Sequence, residues 1–105
     1  MNNLITPDSI ISLSKEQVSC NLGGEAVILG LKDSVYYGLN SIGNVIWDFI
    51  KEPKKVNEIL NRLLNEYDVE KEKCKNDLLK LLEELNQRRL IEVRNEGNYS
   101  GTPSP

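Results

Sequence analysis

Residues 35–50 read Val-Tyr-Tyr-Gly-Leu-Asn-Ser-Ile-Gly-Asn-Val-Ile-Trp-Asp-Phe-Ile, and no other stretch limits the fold as much. Residues 35–39 alternate as a strand does: Val35, Tyr37 and Leu39 share one face, Tyr36 and Gly38 the other. Asn40 or Ser41 then offers a short side-chain oxygen that can accept from the unpaired amides at a helix start. Ile42, Val45, Ile46, Phe49 and Ile50 recur at helical spacing, and Pro53 stops the run. An aromatic strand therefore feeds straight into an amphipathic helix carrying the chain's only tryptophan, Trp47.

Strand patterns precede this junction. Residues 10–22 alternate imperfectly and read as one strand, bent or bulged near residues 15–17. Gly23-Gly24 marks a turn, and in residues 25–31 Val27, Leu29 and Leu31 share a face. With residues 35–39 these runs predict a three-stranded antiparallel meander. Helical stripes follow. Val56, Ile59, Leu60, Leu63, Leu64 and Tyr67 form one, and a third helix over about 70–88 turns Cys74, Leu78, Leu81, Leu82 and Leu85 inward. Residues 90–93 can add a short last strand. The expected fold is α+β and winged-helix-like, a three-stranded antiparallel sheet followed by three helices. Its domain spans residues 10–94, after an N-terminal segment over 1–9 with a turn at Pro7-Asp8-Ser9. Residues 95–105, rich in Gly, Ser, Asn and Pro, read as a disordered tail.

Composition narrows the chemistry. The 105 residues suit one modest core. A net charge of -3 argues against a broad nucleic-acid footprint, which needs a basic surface. Histidine is absent, which removes the commonest general base and a common metal ligand. Cys20 and Cys74 belong to no CxxC motif and read as two reduced, half-buried thiols. No nucleophile–base pair, cofactor motif or metal-ligand spacing stands out, so a non-enzyme without cofactor or metal is expected. No apolar run reaches the roughly 20 residues of a membrane span, and a cytoplasmic protein is expected.

A few residues are left over once the core is filled. At about 100° per residue, Leu79 lies well off the Leu78, Leu81 and Leu85 stripe, with Lys75, Leu82 and Asn86 near the same flank. That flank is either the edge of the core or one wall of a groove. Trp47 is off its helix's main stripe, and is either a core-edge aromatic or an interface residue. Tyr36 faces away from Tyr37. If its strand is a sheet edge, the unpaired backbone there can accept another strand. The run Glu70-Lys-Glu-Lys73 reads as a solvated first helical turn.

The segment Tyr37-Gly-Leu-Asn-Ser-Ile-Gly-Asn-Val-Ile-Trp47 resembles the PqqD-like proteins, the recognition elements for precursors of ribosomally made, modified peptides. Val56-Asn-Glu-Ile59 with Leu63 and Tyr67 carries the likeness on, as does the closing stretch Asp77-Leu-Leu, Leu81-Leu-Glu-Glu-Leu85 and Leu90-Ile91. The resemblance implies a domain that binds a precursor's leader segment as a strand antiparallel to strand three, in a groove against helix three. Carried onto this chain, it implies pairing by the backbone of Asp33, Ser34, Val35, Tyr36, Tyr37 and Gly38. Leu78, Leu79, Leu82 and Asn86 with Lys75 would form the opposite wall, with Tyr36 bordering the groove. It also implies partners: the leader peptide, a leader peptidase, and a cyclase or other modifying enzyme, the lasso-peptide type being favoured. A monomer or weak dimer is expected, with no nucleic-acid or membrane partner.

Two other readings stand beside it. One is a chaperone of the same family serving a radical-SAM enzyme. The other is a winged-helix DNA-binding regulator, disfavoured because Lys71, Lys73, Lys75 and Lys80 on helix three are offset by Glu70, Glu72, Asp77, Glu83 and Glu84.

Overall fold

In the computed structural model the chain is described over residues 4–23 and 25–95. The elements run β1 (Ile10–Leu13), β2 (Gln17–Leu22), β3 (Glu25–Gly30), β4 (Tyr36–Gly38), α1 (Ser41–Phe49), β5 (Lys54–Lys55), α2 (Val56–Glu66), α3 (Lys71–Gln87) and β6 (Ile91–Arg94). The expected meander is present as the antiparallel sheet β2-β3-β4, and three helices follow it.

One expectation is corrected. Residues 10–22 do not form a single bent strand but two strands in different sheets. The break lies at Ser14. Its amide donates to the Leu90 carbonyl, its hydroxyl accepts from the Glu16 amide, and Gln17 Nε2 donates back to its carbonyl. These local bonds satisfy the backbone of a sharp change of direction, so β1 is free to pair elsewhere. It lies between β5 and β6 in a second three-stranded antiparallel sheet. β6 is the expected last strand, shifted by one residue; β5, only two residues long and directly after Pro53, carries no periodic signal. Pro7 and Asp8 do turn, with the Ser9 amide donating to the Thr6 carbonyl. The tail expected over 95–105 lies, except for Asn95, outside the described residues. Asn95 itself donates to the Leu4 carbonyl and accepts from the Ser9 hydroxyl, tying β6 to the N-terminal segment.

The core lies between the β2-β3-β4 sheet and the three helices. Ala26 and Ile28 from β3 meet Ile46 and Trp47 from α1 and Ile50 just after it, with Leu60 and Leu63 of α2 and Leu78, Leu82 and Leu85 of α3 in the same cluster. Trp47 is buried, and its indole Nε1 donates to Ser19 Oγ on β2 at 3.2 Å, which resolves its off-stripe position as core packing. At the strand–helix junction, Asn40 Oδ1 accepts from the Gly43 amide at 2.8 Å and caps α1. A side chain at Gly43 would crowd Leu39, whose Cβ and Cδ2 lie 3.1 and 3.0 Å from where its Cβ would be. The buried leucine and the first helical turn share that space.

Leu82 is fully buried, whereas Leu79 is partly exposed. Leu82→Ala should therefore lower stability by about 2–5 kcal/mol, and Leu79→Ala by clearly less. Urea unfolding followed by Trp47 fluorescence measures both.

Candidate functional site

The site begins with the open side of β4. Among the described residues the strand is an edge of β2-β3-β4, paired only with β3 through Val27↔Gly38, Ile28↔Tyr37 and Leu29↔Tyr36. The Gly30 amide donates to the Val35 carbonyl, and the Leu39 amide donates to the Ala26 carbonyl. In an antiparallel ladder both polar groups of a residue point the same way, and the direction alternates. Val35, Tyr37 and Leu39 therefore face β3, and the N–H and C=O of Tyr36 and Gly38 face outward. Of the residues expected to pair with a peptide, only these two present backbone groups to the free edge. Asp33 and Ser34 lie in the tight turn after Gly30: the Ser34 amide donates to Gly30, and Asp33 Oδ1 accepts from the Val35 amide. Ser34 has φ 59, in the left-handed region.

Beside this edge lies an open groove of about 420 Å³. β4 and the junction after it contribute Tyr37, Gly38, Leu39 and Asn40, and α1 contributes Ile42, Gly43 and Ile46. The far wall is α3, through Lys73, Cys74, Asp77, Leu78 and Leu81, and Leu63 and Val69 also line the groove. Its lining is mainly apolar, with a polar rim where Lys73 Nζ and Asp77 Oδ2 pair at 3.4 Å.

Of the wall expected from sequence, the structure brings Leu78 to the groove, and it does not bring Lys75, Leu79, Leu82 or Asn86. Leu82 is consumed by the core. At about 100° per residue, Lys75, Leu79 and Asn86 fall on one side of Leu78, while Cys74, Asp77 and Leu81 fall on the other. The second set faces β4. The 74-77-78-81 spacing carries a signal, but Cys74 and Leu81 read equally well as core positions. The α1 side of the groove was missed because Ile42 reads as one more core position on its helix. It is in fact exposed.

Beyond the groove, Tyr37 links β4 to the C-terminal part of α3. The Glu84 carboxylate acts on its phenol, and the Arg88 guanidinium lies 5.2 Å from its ring centroid. Burial first, and the Glu84 hydrogen bond and charge after it, hold the phenol above its ordinary pKa, with Arg88 opposing. The Cys74 thiol is also pushed up, by burial and then by the Asp77 carboxylate. A thiol with so little thiolate is a poor nucleophile at neutral pH. Both cysteines are free; Cys20 is exposed rather than half-buried as expected, and Cys74 is half-buried. Among the described residues no cluster of three or more His, Cys, Asp or Glu side chains could hold a metal ion, and no helix is long and apolar enough to cross a membrane. The chemistry this arrangement offers is the holding of an extended, partly apolar segment.

Comparison with known proteins fits that geometry. The family model for coenzyme PQQ synthesis protein D (PqqD) matches residues 25–91, well over half of the chain. The chain belongs to the PqqD family. Two solved structures share its fold. "TbiB1 in Complex with the TbiA(beta) Leader Peptide" is 32% identical, with a TM-score of 0.72, covering 77% of this chain and 94% of that one. "Lasso peptide synthetase B1 complexed with the leader peptide" is 20% identical, with a TM-score of 0.70, covering 78% of this chain and 96% of that one. At that lower identity the likeness is one of fold. A search of curated protein sequences returned no match. Within the PqqD fold, the free β4 edge and the α3 groove sit side by side on this chain.

The raised Tyr37 pKa gives a signed expectation. The native state holds the phenolic proton more tightly than the unfolded chain does. Its contribution to stability is therefore complete below the ordinary tyrosine value of about 10, and is lost as pH rises through the raised native value. An ultraviolet titration of phenolate should show a late-ionising component that disappears in Tyr37→Phe and moves to lower pH in Glu84→Gln.

Proposed function

We propose that this PqqD-family chain binds the leader segment of a ribosomally made precursor peptide and presents it to separate processing enzymes. The leader adds as a strand to the free edge of β4 and turns alternate side chains into the groove against α3. The enzymes served are a leader peptidase and a cyclase of the lasso type. The observation that carries the proposal is the open β4 edge lying beside an apolar groove, in a fold whose solved relatives hold leader peptides. The groove wall is taken as Cys74, Asp77, Leu78 and Leu81, in place of Lys75, Leu79, Leu82 and Asn86.

Magnitudes explain why both halves of the site are needed. Tyr36 and Gly38 offer two donors and two acceptors, each net hydrogen bond contributing about 1 kcal/mol. Ordering an unstructured segment costs about 1–2 kcal/mol per residue in backbone freedom. Main-chain pairing alone therefore leaves a short leader unbound. Burial of apolar leader side chains must supply the surplus, and it also selects the sequence.

The test is a titration of labelled TbiA(beta) leader peptide followed by fluorescence anisotropy. Saturable binding is expected, weakened at least about tenfold by Tyr36→Pro, which removes an outward-facing N–H. Leu81→Glu should weaken binding comparably, while Leu79→Glu leaves it nearly unchanged, each variant first shown to be folded by circular dichroism. Normal affinity in folded Tyr36→Pro would rule out strand addition at β4. A loss in Leu79→Glu alone would return the wall to the opposite flank of α3.

A further inference from the structure

The face of β2-β3-β4 turned away from the helices is built almost wholly of apolar side chains. Val18, Cys20 and Leu22 of β2 stand on it, with Val27 and Leu29 of β3 and Tyr36 of β4. They form cross-strand rows. Val18, Leu29 and Tyr36 make one row, and Cys20, Val27 and Gly38 make the next. The second row stops short, because its β4 position has no side chain. Tyr36 stands beside the gap with 69% of its surface exposed.

Gly38 has no local reason to be glycine. Its φ is not in the left-handed region, and a Cβ built there would meet nothing within 4 Å. Glycine inside a strand costs conformational entropy, and it often marks a place where another chain approaches closely. The outward-facing N–H and C=O of Gly38 put that approach on the free edge. A strand added there faces Gly38 with a hydrogen-bonded partner residue, whose side chain must lie on the same face as Tyr36 and Val27.

We propose that Gly38 is a notch on the outer face of the sheet, filled by the large apolar, preferably aromatic, side chain of the bound strand's residue directly opposite it. The inference rests on strand addition at β4 and adds a selectivity determinant on the face of the sheet turned away from α3. From that partner residue to Val27 is two strand spacings, about 10 Å. A short side chain such as alanine or valine cannot cover that span, whereas an aromatic ring can lie over the bare glycine backbone and touch both Val27 and Tyr36. Covering a strand glycine with a cross-strand aromatic stabilises sheets by the same contact.

The experiment is an alanine scan of the TbiA(beta) leader peptide, titrated against the native chain, Gly38→Val and the milder Gly38→Ala. One large apolar peptide residue should lose about tenfold in affinity on replacement against the native chain. Against Gly38→Val the same replacement should cost less than about twofold, since valine already occupies the notch, with Gly38→Ala in between. The peptide residues on either side of it, facing the groove, should show equal losses against all three proteins. If the peptide binds and no position depends on the residue at 38, the notch is overturned while strand addition stands. If the folded native chain binds no peptide, both fall together.

Discussion

The junction between β4 and α1 is the constraint on which the rest of the structure depends. Three contacts hold it within a few residues: the Leu39 amide on the Ala26 carbonyl, Asn40 Oδ1 on the Gly43 amide, and Asn44 Oδ1 on the Ala26 amide at 2.6 Å. Asn44 takes the β3 donor that a longer β4 would have claimed, so the ladder ends where the helix begins. The strand stays three residues long, and α1 is locked beneath the sheet with Trp47 reaching Ser19 on β2. A short strand with one paired side and a helix fixed at its end leaves its other side open.

That open side has worth only because α3 is set across from it. α3 is positioned by packing on α2 and β6, and β6 is in turn held by β1 in the second sheet. The split of residues 10–22 into β1 and β2 is therefore part of the site's construction. β2 widens the sheet that ends in β4, while β1 anchors the strand that follows α3. Tyr37 ties the two sides together through Glu84 and Arg88.

Much of this was legible in the sequence. The Val35-to-Ile50 pattern located the strand, the cap and the helix, and the antiparallel meander with three following helices was correct. The Ser14 break was hidden because it is made by side-chain and backbone bonds to Leu90 and Glu16, which leave the apolar alternation intact on both sides. The groove wall was half legible. A helical wheel shows that α3 has two flanks beside its core stripe, but which one meets β4 depends on how the helix crosses the sheet. Leu79 is the conspicuous leucine on one flank. Cys74 and Leu81 sit on the other, close enough to the core stripe to pass for core. Tyr36 and Gly38 could be named as strand residues, yet the outward aim of their backbone groups depends on the register with β3.

The most direct measurement is residue-resolved amide hydrogen exchange, followed by nuclear magnetic resonance with and without the TbiA(beta) leader peptide. In the free protein the Tyr37 and Leu39 amides, bonded to β3, should be protected, and those of Tyr36 and Gly38 should exchange rapidly. On addition of peptide, protection should appear at Tyr36 and Gly38 together. Saturating peptide that leaves both amides exchanging as fast as before would contradict strand addition at β4.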